Sequence, residues 1–341
     1  MTSDHHPPVF TGQRDRSSID PDRIRLLCIG GTGQNGATLL SRMLGRLPGF
    51  VAVGELGYLW DKGLMENVEC GCGLAFRDCP FWTRVGEEAF GGWNAVDPRE
   101  AVRLRGSVKL RGRPQPLALP LILLPAISPS YRADLLRYSE LMQRLYRGIR
   151  SVAGDRVIVD SMKRPSHVYM MRGLPDVDLT VVHQVRDSRG VAYSNLKWVR
   201  RQGAAKGPYR VRRPPAKTGA RWMWINLAFH GLSRLGVPSA VVHYEELVRD
   251  PRRLLRRIGE LAGVAVEDDD LGFIGDEEAD ASAHLSADLS ADHLVAGNRM
   301  RLRAGRVRLR TDEEWRTGLT PRQRRVVSLM TWPLLRGYGY A

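Results

Sequence analysis

Short apolar runs recur along the chain, and each has the length of one buried strand. Segments with helical spacing lie between them, such as 133–150, which contains Leu135, Leu136, Leu141, Leu145 and Ile149. Strands that alternate with helices predict an α/β fold with a central parallel sheet flanked by helices on both faces. The four apolar runs are 25–30, 156–160, 179–185 and 239–243.

The remaining segments divide the chain into a tail and one domain. We expect residues 1–22 to be a disordered tail and residues 23–341 to form a single α/β domain. Within it, 57–130 is rich in Gly, Pro and Trp and predicts a helical and loop insertion over the strand ends, where substrate pockets form. The basic, Gly/Pro-rich stretch 200–215 predicts a mobile loop, and the Asp-, Ala- and Ser-rich stretch 268–292 predicts a partly disordered segment or a lid.

The charge balance narrows the class of ligand. The 52 Lys and Arg residues exceed the 37 Asp and Glu residues, giving a net charge of +15 that favours anionic ligands. No zinc-finger spacing, RNP motif or aromatic-studded basic strand accompanies this charge, so we expect no nucleic-acid partner. The N-terminus lacks the apolar stretch of a signal peptide, and 117–127 is too short and too broken by prolines to span a membrane. We therefore expect a cytoplasmic protein.

The four cysteines agree with that compartment. Cys28 belongs to the first apolar run, whereas Cys70, Cys72 and Cys79 form an odd cluster, which argues against a disulfide framework. Three thiolates could hold a metal if a fourth ligand arrived from elsewhere, yet C-x-C-x6-C is not a standard zinc spacing. We predict instead a tight, Gly-rich turn packed by small thiols, and no metal.

The first apolar run ends in a glycine-rich loop, 31–36, followed by helix-forming residues. A strand, a glycine-rich loop and a helix N-terminus direct backbone N–H groups and the helix dipole at one point, which suits a phosphate group. The glycines fit the G-x-G-x-x-G pattern of dinucleotide sites, with Glu55, 19 residues beyond Gly36, as the ribose-binding carboxylate. The Walker pattern of nucleotide triphosphatases fails because Ala37 replaces its lysine.

The other three runs also end in polar residues, where open α/β sheets bind ligands. Lys163 follows the second run, Arg186 the third and Tyr244 the fourth. Arg186 precedes Ser194 by eight residues, a spacing that can hold one phosphate with a guanidinium and a hydroxyl. The alternative for Arg186 is a salt bridge to Asp187 or another neighbour.

These four segments, in this order and spacing, resemble the sulfotransferase family, whose sulfonate donor is 3′-phosphoadenosine 5′-phosphosulfate (PAPS). The resemblance spans 25–339 and implies that Arg186 and Ser194 hold the 3′-phosphate and that Tyr244 lies near the adenine. The ending 297–315 resembles the Gly-Asn-rich loop that folds over the nucleotide in bacterial members. In the loop the resemblance implies that the 5′-phosphosulfate binds Gly33, Gln34, Asn35, Gly36, Ala37 and Thr38. In the ending it implies nucleotide contacts for Asn298 and Arg301.

The pair Gly54-Glu55 resembles the tyrosylprotein and carbohydrate branches, in which this Glu removes the acceptor's proton. The resemblance thus implies Glu55 as general base and Lys163 as the cation that supports the leaving oxygen. A carboxylate near a sulfonate and phosphates has a raised pKa, which suits a base. One departure is Gln34, where relatives usually carry Arg or Lys, so a charge-assisted contact of about 1.5–3 kcal/mol is lost.

The expected activity is therefore transfer of a sulfonate from PAPS to a hydroxyl of a small molecule or glycan, with no metal required. Two alternatives stay open. An NAD-dependent oxidoreductase explains the glycine pattern, and a catalytically silent nucleotide-binding protein explains Gln34. The acceptor, the oligomeric state and the role of the cysteine cluster are not predicted by the sequence.

Overall fold

The computed structural model describes residues 10–11, 20, 22–110, 115–197, 213–277, 284–290 and 292–340. The expected mobile loop, 200–215, lies outside the described residues up to position 212, as does most of the expected tail. Within the tail segment, Phe10–Thr11 forms a short strand that pairs antiparallel with residues 239–240.

Five parallel strands form the central sheet, so the predicted α/β fold is confirmed. The order across the sheet is β1-β6-β5-β2-β4-β3, with β1 antiparallel at one edge. Four of the parallel strands coincide with the four apolar runs, and the fifth, β3, was not predicted. The strands are β1 (Phe10–Thr11), β2 (Ile24–Gly30), β3 (Phe50–Gly54), β4 (Val157–Asp160), β5 (Val177–Val185) and β6 (Ser239–His243).

Helices cover both faces of this sheet. On β2, Leu26 and Cys28 pack into one buried cluster, whereas Leu27 and Ile29 pack into the other. This alternation follows from the period of two along a strand, and it buries the whole strand. The first three helices are α1 (Ala37–Leu44), α2 (Pro80–Phe90) and α3 (Pro98–Val108). The others are α4 (Ala118–Leu123), α5 (Pro129–Ala153), α6 (Pro165–Arg172), α7 (Ser188–Leu196), α8 (Pro215–Arg234), α9 (Tyr244–Arg249), α10 (Pro251–Ala262), α11 (Trp315–Gly318) and α12 (Pro321–Gly337).

A second, antiparallel sheet includes part of the segment 268–292. Its order is β7-β8-β9, formed by β7 (Ile274–Glu277), β8 (His284–Leu289) and β9 (Gly305–Arg308). Ile274, Ala287 and Leu289 are buried against the core cluster that covers α1 and α10. At its described positions this segment therefore forms strands, and these three apolar residues pack against the domain core.

The segment 57–130 contains α2, α3, α4 and short helical turns. Within its described residues, strand pairing is limited to one isolated bridge between Glu69 and Ala75. Among the helices of the described residues, none is long and apolar enough to cross a membrane.

The strand order bears on the dinucleotide alternative. In a Rossmann sheet, the strand after the glycine loop's helix lies directly beside the first strand, which places its terminal carboxylate on the ribose. Here β4 lies between β2 and β3, so Glu55 at the end of β3 is one strand further away. The topology disfavours the NAD alternative.

His183, within β5, makes stability depend on pH. Its ring is buried and hydrogen-bonded to Asn226 Oδ1 at 2.8 Å, and burial lowers the pKa of His183 to about 3. The unfolded chain binds a proton near pH 6.5, whereas the folded chain resists protonation until about pH 3. The contribution of His183 to the free energy of unfolding is therefore fully present above pH 6.5. It is lost as the pH falls from 6.5 towards 3, by up to about 1.4 kcal/mol per pH unit.

We expect His183→Gln to flatten this dependence, because the glutamine amide can still donate to Asn226 but does not titrate. The free energy of unfolding, measured by denaturant titration between pH 7 and pH 4, should fall less steeply in the variant than in wild type. Equal slopes would contradict the assignment of the acid sensitivity to His183.

Candidate functional site

The glycine-rich loop joins β2 to α1 at the carboxyl edge of the sheet. Gly36 is the N-cap of α1 with φ 88°, and a side chain there would meet the Tyr244 ring, 2.7 Å from the position of an added Cβ. Within the part of the chain that the structure describes, no acceptor takes a hydrogen bond from the backbone N–H groups of residues 33–36. Unpaired amides at a helix N-terminus form a site suited to an anion.

Two amide side chains support the loop from beneath. Asn35 is buried, donates to the carbonyl of Gln184 at 2.8 Å and accepts from Ala37 N. Its side chain therefore fixes the shape of the loop. Gln184 is fully buried, yet neither polar atom of its side chain has a partner among the described residues. A buried amide without partners beside Gly36 is consistent with a polar ligand at this loop.

Glu55 and Lys163 form an ion pair next to the loop. Glu55 follows β3 and Lys163 follows β4, and Lys163 Nζ lies 2.5 Å from Glu55 Oε1. Their side chains are 18% and 15% exposed, so the pair is shielded but reachable from solvent. The sequence predicted both residues without predicting that they touch.

Asp160, the last residue of β4, positions this pair. Its buried carboxylate accepts from the backbone N–H of Met162 at 2.8 Å and of Leu56 at 3.4 Å. The same carboxylate accepts from the Tyr146 hydroxyl at 2.6 Å and contacts the His167 ring at 2.9 Å. Asp160 thus joins the turn after Glu55 to the turn before Lys163, a role that sequence analysis did not assign.

The segment 292–298 forms a second wall of the site. Val295 N donates to Val53 O and Glu55 N donates to Ala296 O, so the segment runs beside the end of β3. Asn298 N then donates to Thr38 Oγ1 at 3.4 Å. Buried Arg42 of α1 holds the segment in place through Asp292 at 2.6 Å and through the carbonyls of Ser290, Met300 and Arg303.

Arg186 approaches the loop from the end of β5. Its Nη1 donates to the Gln34 carbonyl at 2.9 Å, and its guanidinium lies 4.7 Å from the centre of the Tyr244 ring. Gln34 has φ 71°, a left-handed conformation in which its carbonyl meets Arg186. Arg186 Nη2 also pairs with Asp312 at 3.0 Å. Burial acts to raise the pKa of Asp312, but the charge and hydrogen bond of Arg186, together with the Lys197 charge and the Glu314 N–H, lower it overall.

Ser194 lies one helical turn beyond the Arg186 guanidinium. The Arg186 guanidinium packs against Gly190 of α7. A side chain at Gly190 would begin only 3.2–3.3 Å from the guanidinium nitrogens. Ser194 is four residues further along and on the same face of α7. Ser194 therefore lies on the face of α7 that Arg186 packs against. Asp187 pairs with Arg189 at 2.7 Å, so the salt bridge of Arg186 is made with Asp312 instead.

The remaining predicted residues divide into two groups. Thr38, Gly36 and Tyr244 lie at the loop, and Asn298 reaches it through its backbone. Arg301 lies elsewhere: it is buried and donates to the carbonyls of Glu69 and Leu294. A nucleotide contact of Arg301 stays a prediction.

Comparison with known proteins returned matches among solved structures. The sulfotransferase domain of the Synechococcus PCC 7002 olefin synthase matches with 20% identity and a TM-score of 0.48, covering 93% of this chain and 94% of that one. The sulfotransferase domain from the curacin biosynthetic pathway matches with 16% identity and a TM-score of 0.47, covering 90% and 98%. Sulfotransferase STF1 from Mycobacterium tuberculosis H37Rv matches with 17% identity and a TM-score of 0.38, covering 73% and 70%.

All three are sulfotransferases or sulfotransferase domains, the family that the motifs resemble. No protein-family model matches the chain. No curated protein matches it either. Since the TM-scores lie below 0.5, the likeness carries no argument about activity, which has to come from the side chains of this chain.

Proposed function

We propose that this protein transfers a sulfonate group from PAPS to a hydroxyl acceptor, with Glu55 as general base. The observation that carries the proposal is the Glu55–Lys163 ion pair at 2.5 Å, beside a glycine-rich loop at the same sheet edge. A carboxylate next to a cation and an anion-binding loop supplies both requirements of the transfer. It offers a proton acceptor for the hydroxyl and positive charge for the leaving oxygen.

The nucleotide would bind between the loop and Arg186. The free N–H groups of residues 33–36 suit the 5′-phosphosulfate. The Arg186 guanidinium and the Ser194 face of α7 suit the 3′-phosphate, because a guanidinium binds phosphate through two parallel hydrogen bonds. The buried Gln184 side-chain amide, which has no partner among the described residues, lies beside Gly36 and Tyr244 and could hydrogen-bond to the nucleotide.

The ion pair would have to separate for catalysis. When the donor is bound, its sulfonate offers Lys163 a second anion, and Glu55 becomes free to accept a proton. In this proposal the acceptor hydroxyl would lie between the carboxylate and the donor. Transfer then forms one oxygen–sulfur bond while another breaks, and the hydroxyl proton goes to Glu55.

Arginines cluster near Tyr58, which lies three residues beyond Glu55. Arg164 donates to the Tyr58 hydroxyl at 2.8 Å. Burial, with the nearby charges of Arg164 and Arg213, lowers the pKa of Arg221 to about 10. Clustered arginines favour an acceptor that carries negative charge of its own, such as an acidic glycan or an anionic small molecule.

We expect Arg186→Ala to weaken binding of adenosine 3′,5′-bisphosphate by about 10- to 150-fold, since a charged hydrogen-bond donor is lost. Ser194→Ala should weaken it less. Asp312→Asn should instead tighten binding, because the Asp312 carboxylate competes with the 3′-phosphate for the same guanidinium. Calorimetric titration measures all three affinities.

Arg189→Ala is the matched control. Arg189 also pairs with a carboxylate and lies 4.5 Å from the centre of an aromatic ring, that of Trp315, but it does not contact the loop. Its loss should leave nucleotide affinity near wild type. Unchanged affinity in both Arg186→Ala and Ser194→Ala would remove the 3′-phosphate site from the proposal, and binding of NAD in place of the bisphosphate would favour the oxidoreductase.

A further inference from the structure

Three cysteines and one histidine converge outside the site described above. One possible ligand atom from each of Cys70, Cys72, Cys79 and His293 lies within 4.8 Å of the other three. Cys72 Sγ is 3.6 Å from Cys79 Sγ, and Cys79 Sγ is 3.4 Å from His293 Nδ1. The three cysteines come from the segment 57–130, and His293 comes from more than 200 residues further along the chain.

The Cys72–Cys79 and Cys79–His293 separations are close to the edges of a metal-centred tetrahedron. A zinc ion bonds sulfur at about 2.3 Å and histidine nitrogen at about 2.0–2.1 Å, and tetrahedral angles then give sulfur–sulfur edges of about 3.8 Å and sulfur–nitrogen edges of about 3.6 Å. A disulfide needs a sulfur–sulfur distance of about 2.05 Å and uses only two sulfurs. All four cysteines of the chain are free thiols in this structure.

The Cys-x-Cys pair lies on a tight backbone turn. Gly73, with φ 89°, allows the chain to reverse, and Cys70 N donates to Leu74 O to close the turn. Gly73 N also donates to Cys70 O at 2.9 Å, so two backbone hydrogen bonds hold Cys70 and Cys72 on the same turn.

Neighbouring residues pack against the cluster and hydrogen-bond to the backbone beside it. The His293 ring stacks on Phe81 with ring centres 4.7 Å apart, and Trp82 Nε1 donates to the His293 carbonyl at 2.9 Å, which fixes the ring's orientation. Buried Arg301 donates to the carbonyls of Glu69 and Leu294, the residues next to Cys70 and His293. Three thiolates and one zinc ion carry a net negative charge, and the Arg301 guanidinium lies beside it.

We propose that Cys70, Cys72, Cys79 and His293 bind one structural zinc ion. The expectation of a thiol-packed turn without metal rested on the cysteine spacing alone, and His293 is the fourth ligand that the spacing could not supply. Four protein ligands fill the tetrahedron and leave no position for substrate, as in structural rather than catalytic zinc sites. This inference does not depend on the proposed transferase activity.

The ion would connect two distant parts of the chain. Its cysteines belong to the turn before α2, and His293 begins the segment that runs beside β3 to Asn298 and Thr38. Gly71 N also donates to Leu294 O, so the two segments are already in contact. Zinc would therefore stabilise the wall of the candidate site, segment 292–298, through its residue His293.

The direct test is the metal content of the full-length protein purified without chelators. We expect about one zinc ion per chain by elemental analysis, and X-ray absorption should show three sulfur neighbours and one nitrogen neighbour. Cys72→Ser and His293→Ala should each reduce bound zinc at least tenfold, relative to wild type. Cys28→Ala is the control, because Cys28 lies in β2, outside the cluster, and this variant should keep its zinc.

Measurements on the wild-type protein test zinc binding even if a variant of a zinc ligand does not fold. Titration with an organic mercurial should release the zinc as the thiols react, and a strong chelator should lower the melting temperature of wild type. The proposal is overturned if reduced wild-type protein neither contains nor takes up zinc. It is equally overturned if the bound zinc has no sulfur neighbours, or if the unfolded protein shows a disulfide in place of free thiols.

Discussion

Glu55→Gln is expected to lower the rate of sulfonate transfer by roughly 10²–10⁴-fold while the affinity for adenosine 3′,5′-bisphosphate stays near wild type. Glutamine keeps the shape of the side chain and can still accept a hydrogen bond from Lys163, but it cannot accept the acceptor's proton. The measurement is transfer of radiolabelled sulfonate from PAPS to a panel of hydroxyl acceptors, both neutral and anionic.

Glu66→Gln is the matched control for this variant. Glu66 also pairs with a lysine at 2.5 Å, Lys62, but the two side chains are 48% and 40% exposed and lie outside the candidate site. Its transfer rate should equal that of wild type. A Glu55→Gln rate within a few-fold of wild type would mean that another group is the base.

The histidines at the sheet are poor substitutes in that case. His183 is buried against Asn226, and His243 Nε2 lies 3.1 Å from the Tyr338 carbonyl, an acceptor that it can reach only as a donor. If every variant and wild type bind the nucleotide but transfer nothing, the silent nucleotide-binding protein becomes the better description.

Four of the five parallel strands were predictable because each is a continuous apolar run, buried on both faces. Strand β3 (Phe50–Gly54) was not predicted, although all five of its residues are buried. Its signal is present in the sequence, since Pro48 and Gly49 mark a turn between α1 and this short apolar run. Its position at the end of the sheet is what brings Glu55 to Lys163.

The antiparallel sheet was hidden by its composition. Strand β8 (His284–Leu289) contains His, Ser and Asp beside its apolar residues, and β9 (Gly305–Arg308) alternates between exposed and half-buried residues. Such strands have one polar face, and their pairing depends on partners elsewhere in the chain. Local composition therefore indicated disorder where the fold supplies a partner.

In the candidate site, too, the residues that follow apolar runs were predictable, whereas their distant supporting contacts were not. The loop, Glu55, Lys163 and Arg186 each follow an apolar run, so the sequence could place them at one sheet edge. Their supports are distant: Arg42 and Asp292 are 250 residues apart, and Asp160 and Leu56 are 104 apart. A chain with 37 acidic residues offers too many possible partners for such pairs to be identified from sequence.

Gln34 illustrates what the structure adds to a motif. The sequence shows only the loss of a charged side chain at this position. In the structure its left-handed backbone presents the carbonyl to Arg186 at 2.9 Å, so the loop position contributes through its main chain. Arg186 thereby supplies positive charge at the loop that the residue at position 34 does not.

Lys163→Met is expected to lower sulfonate transfer by about 10²–10³-fold, the loss typical of removing one donor that stabilises transition-state charge. Adenosine 3′,5′-bisphosphate lacks the sulfonate, so its affinity should fall much less than the rate does. Lys163→Arg, which keeps the charge, should recover part of the rate. Lys62→Met is the control, since it breaks the exposed pair with Glu66 and should leave transfer unchanged.

The double variant Glu55→Gln/Lys163→Met tests whether the ion pair acts as one unit. Groups that act together in one step give strongly non-additive losses, so the double variant should be little slower than the slower single variant. If the two losses multiply, Glu55 and Lys163 act independently and the 2.5 Å contact has no part in catalysis. If Lys163→Met lowers nucleotide affinity as much as it lowers the rate, Lys163 binds the donor uniformly instead of stabilising charge on the leaving oxygen, because equal binding of ground and transition states leaves the chemical step unchanged.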